Sequence, residues 1–428
     1  MTATRSAPAA EIDLVIEGGR VIDPSSNIDA LADVAVDRQG RIAAVVQARD
    51  GGLRSAAARR RIAADGKLVC PGLIDLHVHV YEWVTNFGVR ADGAGVGSGA
   101  TTIVDQGSTG PWTFGGFKAF VADPAATDVR AFVSINAAGA LMGGMKGDIL
   151  HNPGMTDAAA LLATMERHPR QVRGIKCHGE SGALSHWGTQ VLEQAAEVGR
   201  RAGLPLYVHT GQLFPVIESS RPAPRSVLEQ VLPLLKAGDV LAHIYSSMPD
   251  GIIGEERQVP AVVHRALDQG VHFDIGYGVN FSYRIARMML AAGIEPYTIS
   301  SDLHADFNSY HDNSQLDYSL LGAMSRLWAL GMPLANVIRA ATVHPAQVLG
   351  EAGQLGTLAV GTPADISILE VRKEPWRFAD GRYECIEVGE RLLPWLTLRE
   401  AVAHEPCPEM MPDLYQPALA ASRAPVLA

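Results

Sequence analysis

Between Pro71 and about Gly350 the sequence alternates eight short apolar runs with amphipathic segments, and few folds accept that rhythm. The first run is Cys70-Pro71-Gly72-Leu73-Ile74-Asp75-Leu76-His77-Val78-His79; the others are residues 101–105, 131–136, 172–177, 204–209, 240–243, 271–275 and 297–302. Several intervening segments carry a helical period. Residues 188–202 place Val191, Leu192, Ala195 and Val198 on one face, and residues 225–236 do the same with Val227, Leu228, Val231, Leu232 and Leu235. Strands alternating with helices imply a parallel sheet, because parallel neighbours need a crossover. Eight units of roughly 30–35 residues fit a closed (β/α)8 TIM barrel. The competing reading is an open doubly wound sheet, which wants a Gly-rich phosphate loop after its first strand; none follows here.

The two ends read differently. Residues 11–69 hold short strands around Gly turns, such as Asp13-Leu14-Val15-Ile16 and Asp33-Val34-Ala35-Val36, with no long helical period. Such a unit cannot close a core alone. β texture returns at 355–371 and 381–393. The expectation is a small composite β-sandwich built from both ends: residues 1–70 and 351–428 flank an α/β barrel over 71–350. From about Ala401 the chain is rich in Ala and Pro, and is expected to be poorly ordered or to pack on a neighbouring subunit.

The formal net charge of −10 argues against nucleic acid and against an anionic membrane surface. Four scattered cysteines without a CxxC argue for a reducing compartment rather than a disulfide framework. No apolar run approaches ~20 residues and Met1–Ala10 lacks a signal-type core, so a cytoplasmic protein is the expectation.

Chemistry collects at the ends of the predicted strands. His77 and His79 lie two apart on a strand and share a side, with Leu76 and Val78 opposite. Further on, Lys176, His209, His243 and Asp302 follow at intervals of 99, 33, 34 and 59 residues. With about 33 residues per unit, these fall on strands 1, 4, 5, 6 and 8, at the C-terminal ends where barrel active sites form. Alone, each has a plainer explanation: His209 and His243 as core histidines bonded to carbonyls, Asp302 as a helix N-cap. Lys176 is costly near a barrel interior unless it is neutral, paired or modified. An ion pair would satisfy it; so would addition of carbon dioxide, giving a carbamate whose two oxygens can bridge two cations.

These residues resemble the amidohydrolase superfamily, whose binuclear pattern His77-x-His79, Lys176, His209, His243 and Asp302 match one for one. The likeness extends over nearly the whole chain, including the split β unit and Gly361-Thr362-Pro363-Ala364-Asp365. Gly174-Ile175-Lys176, Val208-His209-Thr210-Gly211, Ala242-His243 and Ser301-Asp302-Leu303-His304 are similar to the dihydroorotase-like subgroup. Some of its members are deacetylases of acetylated α-hydroxy or α-amino acids such as acetyl-mandelate. The resemblance implies two zinc ions (Mn²⁺ or Co²⁺ fit the same N/O ligands). His77, His79 and Asp302 would hold one, His209 and His243 the other, and N6-carboxylated Lys176 would bridge. It also implies a bridging hydroxide as nucleophile and Asp302 as the catalytic proton carrier.

The implied function is a cytoplasmic metal-dependent deacetylase-like hydrolase of small acylated acids, acting on an ester or amide. The implied substrate is a small molecule with a carboxylate, with no nucleic-acid or membrane partner, and a homo-oligomer is the assembly to look for. The alternative is a cyclic amidohydrolase of dihydroorotase or hydantoinase type. An arginine soon after HxH would favour a dihydroorotase, and His79-Val80-Tyr81-Glu82-Trp83 has none. A catalytically dead scaffold that keeps the barrel and assembles with partners is a third possibility, and it predicts losses among six ligand positions that are all present. Substrate contacts are expected in the loops after the strands: His178, Tyr81, Gln106, Asn136, Tyr245, Asn280, Phe281 and Arg284, with Tyr277 and His304 nearby. Tyr81, Trp83, Trp112 and Phe281 could form an aromatic wall; His178, Asn280 or Arg284 could meet the carboxylate.

Overall fold

A computed structural model describes residues 11–141, 150–223, 226–254, 257–278, 281–305, 318–382 and 384–416. Seven parallel strands run in sequential order: Leu73–Val78, Ala100–Gln106, Asp128–Ser134, Val172–His178, Leu206–His209, Val240–Leu241 and His272–Phe273. The expected eighth run forms no extended strand among the described residues, yet it closes the ring. Ile275 N–H and Tyr277 N–H donate to the carbonyls of Thr298 and Ser300, while Asp302 N–H donates to His77 O at 2.7 Å and His79 N–H to Leu303 O at 3.0 Å. Residues 298–303 thus bridge the seventh strand to the first, and the fold is a (β/α)8 barrel.

The helices follow from their sequences. Gln190–Ala202 buries Val191, Leu192, Ala195 and Val198 and ends at Gly203, whose φ of 67° suits a left-handed cap. Ala158–Arg167 starts where the Asp157 side chain accepts from Ala160 N–H at 2.9 Å. Inside the barrel, Ile74, Leu76, Val104, Phe132, Tyr207, Val240 and Ala242 pack as one cluster. Leu76 therefore faces inward, against the simple alternation expected for the opening stretch. Register shifts between Leu73 and Ile74 and between Asp75 and Val78 account for it.

Both chain ends build the second unit. Ile12–Asp23, Ile28–Asp37, Ile42–Gln47, Arg60–Ala63 and Lys67–Pro71 join Ile366–Ala379, Cys385–Arg399 and Val402–His404 in one mostly antiparallel sheet. The chain halves meet where Lys67–Pro71 pairs with Ile366–Ala379, Cys70 opposite Ser367. The sheet wraps a separate core that includes Leu14, Ile16, Val34, Val36, Val69, Ile366, Ile368 and Leu398. Ser367 locks this unit to the barrel: its hydroxyl donates to Gly99 O and accepts from Leu73 N–H.

The segment after Ala401 is packed on its own chain as far as it is described. Met410, Met411 and Leu414 are buried. Trp376 Nε1 donates to Asp413 O, and the buried Arg326 guanidinium pairs with Asp413 at 3.1 Å. The apolar spacing at 410–414 was the signal that its Ala/Pro content concealed.

Candidate metal centre

At the C-terminal ends of the barrel strands, His77 Nε2 lies 3.0 Å from Asp302 Oδ1, His79 Nε2 lies 3.3 Å from the same oxygen, and the two nitrogens are 3.3 Å apart. Ligands about 2.0–2.1 Å from a tetrahedral zinc sit about 3.3–3.4 Å from one another, so these three atoms converge at the spacing one cation requires. His243 joins them: a ligand atom from each of His77, His243 and Asp302 falls within 4.8 Å of the others.

Backbone geometry aims two of these side chains. His243 and Asp302 have φ of 63° and 55°, a left-handed conformation that is costly for residues other than glycine. At His243 the turn breaks the strand period, since Val240 and Ala242 face the interior. Carbonyls set the remaining imidazoles. His243 Nδ1 donates to Gly276 O at 2.8 Å, and His209 Nε2 donates to Gly211 O at 3.1 Å. Each ring then has a lone pair on its other nitrogen. His243 Nε2 is buried and, among the described residues, has no hydrogen-bond partner. A buried, unpartnered acceptor costs about 1–3 kcal/mol, and a bound cation removes that cost. The rings of His209 and His243 are 4.5 Å apart. The donor set therefore fits a divalent metal bound through imidazole and carboxylate.

Burial first, then the neighbouring cationic groups, pushes His209 well below its ordinary pKa; burial dominates for His77 and His243 as well. Neutral imidazoles are the form that ligates. Lys176 is 2% exposed, and its ammonium stands 4.6 Å from the Tyr207 ring centre. Burial brings it down to about 8, with Asp302 opposing. About one amine in ten is then neutral at pH 7, the form that can add carbon dioxide. Gly107 makes room for it: a Cβ there would lie 2.6 Å from Lys176 Cγ.

Above these residues opens a cavity of about 80 Å³. All six candidate ligands (His77, His79, Lys176, His209, His243 and Asp302) line it, and so do His178 and Gln106. His178 stacks at an angle on His209, with ring centres 5.2 Å apart. Gln106 donates from Nε2 to Leu76 O, while its buried Oε1 has no partner among the described residues.

The other proposed contacts lie elsewhere. Tyr81 is buried against Phe117 with its hydroxyl on Thr113 O. Asn136 closes a turn by accepting from Ala138 and Gly139 N–H. Tyr245 donates to Ile294 O in the core, and Phe281 packs against Tyr245, Tyr277 and Tyr283. Arg284 sits on the outer helix Tyr283–Ala291 and reaches Gly254 O. Asn280 lies outside the described residues. Trp83 and Trp112 are 68% and 66% exposed, so no aromatic wall of the expected composition forms. The wall consists instead of Phe87, Ala140, Leu150, Leu213, Met248 and Tyr277, with His304 as a further polar group. Leu150 and Met248 arrive on long loop excursions, which strand counting does not register.

Fold and site together define a (β/α)8 barrel protein with a candidate metal centre at the C-terminal face of the barrel. Residues 226–390 match the Amidohydrolase family. The chain is 28% identical over 340 residues to a deacetylase of Agrobacterium fabrum, covering 79% of this chain and 78% of the other. It is 27% identical over 442 residues to a dihydroorotase of Anaeromyxobacter dehalogenans, covering 89% and 93%. Among solved structures, an adenine deaminase superposes with a TM-score of 0.80 at 26% identity, covering 92% of this chain and 100% of that one. A dihydroorotase gives 0.79 at 24%, covering 92% and 97%. Over residues 226–390, and in the fold as a whole, the chain is thus similar to amidohydrolase-type proteins. The described helices include none long and apolar enough to cross a membrane.

Proposed function

We propose that this chain is a binuclear metal-dependent deacetylase that cleaves the ester or amide bond of a small acylated α-hydroxy or α-amino acid. The observation that carries this reading is the convergence of His77, His79 and Asp302 on one point, with the lone-pair nitrogen of His243 buried beside them. In this reading His77, His79 and Asp302 hold one divalent ion, His209 and His243 a second, and carboxylated Lys176 joins them. Zinc suits the ligands. Such a pair supplies polarisation of the scissile carbonyl and a water that ionises near neutral pH.

The chain's own residues do the rest. Asp302 accepts a proton at its carboxylate and passes it to the leaving alcohol or amine. The carbonyls of Gly276 and Gly211 hold His243 and His209 in the ligating tautomer. Phe87, Leu150, Leu213 and Met248 exclude water from one side of the cavity and favour an apolar substituent on the substrate. Two features favour an acyl acid over a cyclic amide: the likeness to curated deacetylases at 28% identity, and the absence of arginine soon after His79.

The test is a screen of the zinc-loaded protein against both enantiomers of N-acetyl amino acids, O-acetyl hydroxy acids, dihydroorotate and hydantoins, with metal content measured in parallel. Turnover of an acetyl acid with about two ions per chain is expected. Ring opening without deacetylation would replace the reading with a cyclic amidohydrolase. A single ion at saturation would remove the bridged pair.

A further inference from the structure

Asp274 is wholly buried below the site, and four donors surround its carboxylate. Oδ2 accepts from the Tyr207 hydroxyl at 2.5 Å, the Ser300 hydroxyl at 2.5 Å and Gly276 N–H at 2.8 Å; Oδ1 accepts from the Thr298 hydroxyl. A carboxylate offers about four acceptor sites; three donors reach Oδ2 and one reaches Oδ1, so both oxygens act as acceptors here. The single proton of the Tyr207 hydroxyl is therefore committed to Asp274.

The second neighbour of the Tyr207 oxygen is His77 Nδ1, at 2.9 Å. With its own proton engaged, the oxygen can only accept there, so Nδ1 carries the imidazole proton. Nε2 is left with a lone pair, 3.0 Å from Asp302 Oδ1 and 3.3 Å from His79 Nε2. A cation between Nε2 and the carboxylate oxygen would offset the repulsion of their lone pairs, which in the metal-free chain the Tyr207 contact has to outweigh. The Tyr207 ring also lies under the Lys176 ammonium, so one side chain braces two candidate ligands.

We propose that Tyr207, held by Asp274, is a positioning residue that fixes His77 as the Nδ1–H tautomer and turns its Nε2 lone pair to the cation site. The inference rests on the reading of this cluster as a metal centre. It concerns residues that touch neither metal nor substrate.

The first test uses the metal-free full-length chain. Its histidine ¹⁵N shifts, with the His77 signals assigned by their loss in His77→Gln, should show a protonated Nδ1 and an unprotonated Nε2. The opposite tautomer overturns the proposal. The second test is zinc affinity by chelator competition. Tyr207→Phe keeps the ring under Lys176 and removes the hydroxyl; its affinity should fall about 10–100-fold. Ser300→Ala also removes one donor to Asp274 but leaves His77 untouched, and its affinity should change less than about threefold. Equal losses in the two variants would mean that only general packing was disturbed, and would overturn the proposal. If Tyr207→Phe does not fold, the wild-type tautomer decides alone. Wild-type protein that binds no zinc would instead sink the metal-centre reading, while the tautomer, measured without metal, still decides this one.

Discussion

Asp302 and His77 meet twice. The backbone N–H of Asp302 donates to the carbonyl of His77 at 2.7 Å, and 3.0 Å separates the Asp302 Oδ1 from the His77 Nε2. The first contact closes the barrel between its last and first strand segments. The second forms the corner of the candidate metal centre. Ring closure and site assembly are therefore one structural event, and the left-handed backbone at Asp302, a strain of about 1–3 kcal/mol, is held by it.

Replacing Asp302 with Asn separates the two roles. The backbone contact survives and an amide oxygen can still ligate, but the proton acceptor is gone. Zinc content close to wild type with kcat lowered about 10²–10⁴-fold is expected. Wild-type turnover in steady-state assays would take Asp302 out of proton transfer.

Lys176→Ala removes the proposed bridge and opens space beside the Tyr207 ring. Activity should vanish and return in part when formate, acetate or propionate is supplied, because a short carboxylate can occupy the place of the carbamate. In the wild type, a ¹³C resonance from labelled bicarbonate should track metal loading. Full zinc occupancy with an unmodified lysine would sink the carbamate.

Gly107 has a φ of 78°, and a Cβ there would come 2.6 Å from Lys176 Cγ and 2.8 Å from its Cβ. Gly107→Ala should lower stability in urea by about 1–3 kcal/mol and lower the second-site metal content by displacing Lys176. An unchanged denaturation midpoint with full metal would show that the lysine relaxes freely.

Far from the cavity, at the N-terminal ends of the last strands, His272, Tyr297 and His344 stack face to face with centroid spacings of 3.7 and 4.1 Å. Burial pushes both imidazoles below their ordinary pKa; His344 adds to this for His272, while Asp239 opposes. The folded chain thus binds fewer protons than the unfolded chain just below pH 6.5, so this contribution to stability is present above that pH and is lost as pH falls. Urea midpoints of chelator-treated protein should drop between pH 7.5 and 5.5, and the drop should be smaller in His344→Gln. An identical drop in the variant would assign the pH dependence to other groups.

What the sequence discloses here follows from periodicity. The recurrence of Lys176, His209, His243 and Asp302 at strand ends is a property of chain spacing, and the barrel brings all of them with His77 and His79 to one cavity. The cavity wall is another matter. Leu150, Leu213 and Met248 reach it through loops whose paths depend on tertiary packing, whereas Tyr81, Tyr245 and Phe281 stand at promising positions yet are drawn into the core by their own bulk. Asp274 and Tyr207 read as ordinary strand residues. Asp274 lies 67 residues from Tyr207, and Tyr207 lies 130 from His77, a relationship no local pattern carries.

The pairing of Cys70 with Ser367 joins positions 297 residues apart. On a ribosome adding about 5–20 residues per second, Lys67–Pro71 waits about 15–60 s for the strand that will cover its edge. Throughout that interval the nascent chain carries an apolar segment with unsatisfied ladder groups, a template for mispairing. Synthesis rate and chaperone supply, rather than the equilibrium stability of the finished barrel, should then set how much of this protein matures.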